Sequence, residues 1–398
     1  MLSTDNLTSS SESPAQLSLP PELDDLVISM LFDEPETLKA CALVSKEWLW
    51  TSRTYLFRDI TISYSRQCER FIALATCSPV VCSWVRRLQV SAPWDLVADW
   101  VEIFLTSSLL PNFTHLETLD LADMSFDWHT VSFQMLAQLT SITRLTFLRC
   151  GFTKSELLSI VCAFPTLTDL TVVKFTDLSD RMDETGLQLI HAPSLSRLHF
   201  SGEMYYDDIS GFSGIPESFV QYLWDKGHLE SLRRLEVDVA EQDSDLVDKI
   251  GRLIRDVGPL LEELRMVTFH HNEMFPFLDR IDISHNTYLR KITLRWPLDP
   301  SVPVVLSRVV SPHLHTVQFD FVLDSFYELS RLIAPEVVPA LEHALLATNL
   351  LGLTEVHFNI TSANDLEGVG EACFAAFSEL HQRRLLRVTT VLGSLTTG

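Results

Sequence analysis

The chain has 398 residues, 46% hydrophobic and 21% charged, a balance that supplies a large core and excludes global disorder. Thirty Lys and Arg against 53 Asp and Glu give a net charge of −23, which argues against a fold-wide nucleic-acid surface and against attraction to an acidic membrane. The seven cysteines are odd in number, and the nearest group (Cys68, Cys77, Cys82) matches neither a metal knuckle nor a secreted disulfide scaffold, so reduced thiols in a cytoplasmic and/or nuclear protein are expected.

Residues 1–16 are rich in Ser and Thr and read as a disordered tail, with neither the charged start nor the apolar stretch of a secretory signal. No run of about 20 apolar residues suits a membrane helix. Order is expected from Leu17. Pro20-Pro21-Glu22 opens a stretch with helical spacing at Leu23, Leu26, Val27, Met30 and Leu31, and proline and acidic residues suit a helix N-terminus. A second apolar period follows at Leu38, Cys41, Ala42, Val44 and Trp48, and a third short piece holds Trp50, Tyr55, Leu56 and Phe57. Three short helices result. Their apolar residues surround more than one face, so they either pack on the rest of the chain or await a partner.

Residues 19–62 resemble the F-box family. The family pattern is Leu-Pro-x-Glu-(Leu/Ile), a hydrophobic helix, a turn, then a Val-(Ser/Cys)-(Arg/Lys)-x-Trp segment. The chain supplies Leu19, Pro20, Glu22 and Leu23, then Leu26, Ile28 and Leu31, then Leu38, Cys41, Val44, Ser45, Lys46 and Trp48. Phe32-Asp33-Glu34-Pro35 departs from the family turn, where Pro commonly follows the position of Leu31 directly. The resemblance implies an F-box domain over 17–62 that docks onto a Skp-type adaptor and, through it, a cullin–RING ligase. Carried over residue by residue, Leu19, Pro20, Leu23, Leu26, Ile28, Leu31, Leu38, Cys41, Val44 and Trp48 include adaptor-facing and core positions together, with Pro20 and Leu23 favoured for direct contact.

Residues 63–84 read as a linker or helical cap. From 85 to 398 a triad returns: hydrophobic-x-x-hydrophobic-x-hydrophobic. Ten full copies open at Val85, Leu116, Ile142, Leu167, Leu195, Leu232, Leu261, Leu289, Leu314 and Leu353, with a weak last copy at Arg383. Pro165, Pro193, Pro259 and Pro312 each stand two residues before a copy, where they stop the preceding helix. Helix-like pieces lie between copies, at 155–164, 244–257, 302–310 and 340–348. One such unit cannot bury both its faces, whereas stacked units share a continuous core. The pattern resembles the leucine-rich repeat family, and with the head it resembles divergent fungal-type F-box proteins. Only Cys150 fits the ladder position normally held by Asn or Cys, so the solenoid is expected to be irregular. The expected fold class is α/β: a three-helix head, then a curved, mainly parallel strand layer with outer helices. The alternative is an open parallel α/β sheet. Intervals 200–232 and 319–353 are expected to form inserted loops; the first, with Tyr205-Tyr206, either reaches a ligand or is an ordinary surface loop.

No motif carries catalysis. Gly211-Phe212-Ser213-Gly214 is too short for a nucleophile elbow. His270, His271, Asn272 and Glu273, with His285 nearby, lack zinc-site order, and Asp207-Asp208 and Asp243-Ser244-Asp245 lack a calcium loop. No enzyme activity, metal or cofactor is expected.

If the triads point inward, the third and fifth positions of each copy face outward. Arg197, Arg234, Arg265 and Lys291 then fall on neighbouring strands, with Arg295 just beyond, as a basic band that accepts an acidic or phosphorylated peptide. The competing reading is internal pairing with Glu236 and Glu263. The whole describes a substrate-recognition subunit of a Skp-cullin-F-box-type E3 ubiquitin ligase with an unidentified protein substrate and no direct nucleic-acid or membrane contact. The alternative is a non-degradative repeat scaffold.

Overall fold

A computed structural model describes residues 20–92, 99–124, 135–152, 154–173, 176–177, 193–201, 223, 229–240, 244–269, 280–294, 301–323, 333, 337–362 and 368–392. The expected tail over 1–16 and the Tyr205-Tyr206 interval lie outside them. The chain divides into two units, residues 1–59 and 60–398.

The first unit is a bundle of three helices, α1 (Pro21–Ser29), α2 (Pro35–Cys41) and α3 (Lys46–Leu56). Proline opens α1 and α2, where its missing N–H costs nothing, and Glu22, Asp24 and Glu36 complement the helix dipoles. Ser45 caps α3, its Oγ accepting from the Trp48 amide at 3.2 Å. Both α1 and α2 pack on α3, and the Thr51 hydroxyl donates to Asp25 Oδ1 at 2.5 Å.

The second unit is built on a twelve-stranded sheet, a long curved layer flanked by helices. Within it, residues 63–84 carry the helices Ser65–Cys77 and Val80–Trp84. The strands are β1 (Asp59–Ile62), β2 (Arg87–Ser91), β3 (Thr118–Ala122), β4 (Arg144–Leu148), β6 (Asp169–Val173), β8 (Arg197–Ser201), β9 (Arg234–Ala240), β10 (Glu263–Phe269), β11 (Lys291–Leu294), β12 (Thr316–Leu323), β13 (Glu355–Ser362) and β14 (Leu386–Leu392); β5 (Gly151–Phe152) and β7 (Thr176–Asp177) form a separate short pair. Spatial order follows sequence order from β1 to β14 without reversal. An open doubly wound sheet reverses direction at a switch point. The monotonic order therefore excludes the open-sheet alternative and gives the solenoid.

From β2 to β14 every neighbouring pair in this sheet is parallel and in phase with the repeat: Leu170 lies opposite Leu198, Leu235 opposite Leu264, Val317 opposite Val356. Every residue of the ten full triads is buried. Full burial of such a side chain is worth about 1.5–3 kcal/mol, and the in-phase register stacks identical chemistry coil upon coil. In the weak last copy Leu386 and Val388 pair with Val356 and Phe358 but are only half-buried, as the end of a stack requires. Residues 319–353 differ from expectation. The strand β12 runs on to Leu323, fully paired with β13, and Val338–Leu345 is a helix; residues 324–332 and 334–336 lie outside the described residues.

Without an asparagine ladder, scattered side chains tie coil to coil. The Cys150 thiol, at the expected ladder position, donates to Leu121 O of the preceding coil at 3.3 Å. Thr166 Oγ1 donates to Thr140 O or Ile142 O, each at 2.8 Å, and Ser311 Oγ to Thr287 O (2.9 Å) or Leu289 O (2.7 Å). Asn286 Nδ2 donates to Ile254 O and Gly258 O at 2.9 Å. Asn349 Nδ2 reaches Leu306 O (3.1 Å) and Val309 O (2.9 Å). These groups satisfy turn carbonyls that burial would otherwise leave unpaired.

Candidate functional site

The first candidate is the outer surface of the head. Leu23, Leu26, Val27 and Met30 follow helical spacing along α1 and stay exposed, Leu23 at 45% and Met30 at 69%. Leu43 (88%) and Val44 (66%), in the turn between α2 and α3, are exposed as well. Pro20 is also exposed, whereas Leu31 and Trp48 are half-buried. Ile28, Leu38 and Cys41 are buried and belong to the core. Three of the ten positions carried over from the motif are thus unavailable for direct contact as the unit stands, and Leu19 lies outside the described residues. Val27, Met30 and Leu43 were not singled out as site residues in the sequence. The i, i+3, i+4, i+7 spacing of residues 23, 26, 27 and 30 was the signal for the first two; Leu43 had none. Several large apolar side chains gathered on one small unit make a surface suited to an apolar partner.

The second candidate is the sheet face turned away from the triads. The in-phase register places Arg197, Arg234, Glu263 and Lys291 side by side, and His199, Glu236, Arg265, Thr293 and Gln318 along the next row. The four cations named from sequence do converge here; Arg295 lies outside the described residues. They do not form a uniform basic band, because carboxylates alternate with them. Arg197 Nη2 lies 2.5 Å from Glu236 Oε1, Arg234 Nη2 lies 3.2 Å from Glu263 Oε1, and Arg265 reaches both Glu236 and Asp320 at 3.5 Å. Counting Asp238, four carboxylates face four cations. The competing reading, internal pairing with Glu236 and Glu263, describes three of the four. Lys291 is different: its backbone amide donates to Glu262 O at 3.1 Å, but among the described residues its ammonium forms no ion pair and no hydrogen bond.

Short side chains at the outward positions are themselves covered. Thr118 and Asp120 are buried because Arg87 spans from β2 to bind Asp120 at 2.6 Å. Around Lys291 the long side chains leave an open depression of about 120 Å³, lined by Arg234, Glu236, Glu263, Arg265, Thr293 and Gln318.

Among the described residues no three His, Cys, Asp or Glu side chains gather as metal ligands, and no helix is long and apolar enough to cross a membrane. The 270–273 segment lies outside the described residues; His285 sits 3.8 Å from Asp282 at an exposed turn. All seven cysteines are free and all but Cys77 are buried. Burial pushes the thiols up, Cys68, Cys82 and Cys373 to about 11 and Cys150 to about 12, so these four are protonated at neutral pH.

No family model and no curated protein matches this chain. A chain in a solved structure described as the crystal structure of the Rad7 and Elc1 complex in yeast is similar to it at 14% identity, over 90% of this chain and 79% of that one, with a TM-score of 0.40.

Proposed function

We infer that this chain is the substrate-recognition subunit of a Skp-cullin-F-box-type E3 ubiquitin ligase. The head takes the Skp-type adaptor, and the repeat body takes an unidentified protein substrate. The observation that carries this reading is the exposure of Leu23, Leu26, Met30, Leu43 and Val44 on a three-helix unit whose sequence follows the F-box pattern. Pro20 and Val44, with the α1 stripe, form the adaptor-facing set; Ile28, Leu38 and Cys41 hold the unit together behind it. The chain performs no chemistry of its own in this reading. It raises the effective concentration of a substrate lysine near the charged conjugating enzyme recruited by the RING subunit. It works in the cytoplasm and/or nucleus, where its buried free thiols stay reduced.

Coexpression with a Skp-type adaptor tests the first half: a stoichiometric complex is expected, and its absence rejects the reading. Reconstitution with cullin, RING subunit and conjugating enzyme tests the second half. Adaptor binding without ubiquitin transfer to any captured protein would indicate a non-degradative scaffold instead.

A further inference from the structure

The open face of the sheet narrows the class of substrate, given its role as the recognition surface in the reading above. The depression on β9–β12 is lined by three cations, Arg234, Arg265 and Lys291, and two carboxylates, Glu236 and Glu263. Asp320, which Arg265 also reaches at 3.5 Å, brings the carboxylates into balance with these cations, in a chain whose net charge is −23. The one cation of this lining with no ion-pair partner among the described residues is Lys291. The Arg234–Glu263 contact at 3.2 Å and the two Arg265 contacts at 3.5 Å commit the arginines to their neighbours. Beside Lys291 on the same strand, the buried Thr293 makes no side-chain hydrogen bond among the described residues. Gln318, one strand further, is held by donating to Asp320 Oδ1 at 2.6 Å. An ammonium and a free hydroxyl are therefore offered together at the floor of an open depression.

We propose that this depression binds the side-chain carboxylate of a Glu or Asp within an acidic, unphosphorylated peptide segment, with Lys291 as its ion-pair partner and the Thr293 hydroxyl as a second donor. Charge decides between carboxylate and phosphate. A phosphorylated residue brings about −1.5 to −2 at neutral pH, more than the one unpaired ammonium of Lys291 neutralises, and Glu236 and Glu263 beside it repel the remainder. Position decides between a side chain and a chain terminus. The depression lies on interior strands of the twelve-stranded sheet, where a segment laid across the face lowers a side chain into it.

The test uses the full chain and short acetylated, amidated peptide pools, random except for a fixed central Glu, Gln or phosphoserine, together with a pool ending in a free carboxylate. Binding is read by fluorescence anisotropy at low and at physiological salt. The Glu pool should bind most tightly and weaken with salt, Lys291→Gln should reduce its affinity by about tenfold or more, and Lys291→Arg should retain most of it. Equal binding of the Glu and Gln pools, preference for phosphoserine or the free terminus, absence of binding, or indifference to Lys291→Gln would overturn the proposal. The melting temperature of Lys291→Gln, which breaks no ion pair, is expected to match the parent; if it does not, Lys291→Arg against the parent decides through the Glu-to-Gln preference alone. Adaptor copurification by the unaltered chain reads the wider ligase assignment independently, so failure of one is not mistaken for failure of the other.

Discussion

The head and the repeat body handle apolar surface in opposite ways. The body repeats its triad so that every full copy has a neighbouring strand on either side, and all ten full triads are buried. The head has three short helices and nothing to repeat. Ile28, Leu38 and Cys41 are buried, yet larger residues such as Met30 and Leu43 stay exposed. A unit this small cannot enclose all of its apolar side chains. What it leaves outside is available to a partner, whereas the central strands of the body turn alternating charges outward, and the body's own exposed apolar residues, such as Ile103 and Leu351, lie off those strands. In the proposed reading the difference separates two kinds of recognition surface, one apolar and one electrostatic.

The comparison breaks most sharply with a matched pair of substitutions. Leu23→Asp puts a carboxylate into the proposed apolar interface, where an unpaired buried charge costs about 3–5 kcal/mol. Adaptor affinity should fall more than about 100-fold in a titration, while the denaturation midpoint stays within about 0.5 kcal/mol of the parent because Leu23 is exposed in the free chain. Leu198→Ala should do the reverse: adaptor affinity unchanged and a loss of about 2–5 kcal/mol in chemical denaturation, since Leu198 is fully buried between Leu170 and Leu235. If both variants lose stability equally, the contrast between the units is wrong.

A smaller effect tests how the body dispenses with an asparagine ladder. Asn286→Ala removes the amide that satisfies Ile254 O and Gly258 O and should cost about 1–3 kcal/mol. An unchanged denaturation curve would remove Asn286 from the coil-to-coil ties. Thiol chemistry offers a check without mutation. In the native protein one cysteine, Cys77, should react rapidly with an alkylating reagent near pH 8, and the remaining six only on unfolding. Peptide mapping that finds Cys150 among the fast sites would contradict its burial.

The smallest expected effect is a pH dependence. Burial holds the His357 imidazole below its ordinary value of 6.5, with Arg387 next in influence. The unfolded chain therefore takes up the proton first, and stability falls as pH drops through the ordinary histidine range toward the lower folded value. His357→Gln should flatten the acid limb of a stability–pH profile in that interval; an unaltered limb would show that His357 does not contribute to it.

Much of the scaffold was legible in the sequence because its signals are local and periodic. Proline and acidic residues marked the helix starts of the head, and the repeated triads gave both the strands and their common inward face. The helix at 244–257 matches its expected limits, since charged residues flank its apolar stripe on every turn. For the cations the sequence left two readings open, a basic band or internal pairing with Glu236 and Glu263. The cations were placed on the correct face, but their net effect depends on which strand lies beside which and at what register. Only the fold brings Glu236 within reach of Arg197 and Arg265, whose positions are 39 and 29 residues away.

The sequence by itself determined the three-helix head, the repeat and the identity of the buried triads, since hydrophobic spacing requires only the local geometry of helix and strand. The tertiary structure decided which motif residues of the head face outward, which polar groups replace the ladder, and that Lys291 stands without an ion pair among its described neighbours. Those properties are set by distances between residues far apart in the chain. Charge and burial act over a few ångströms of space, whatever the separation in sequence.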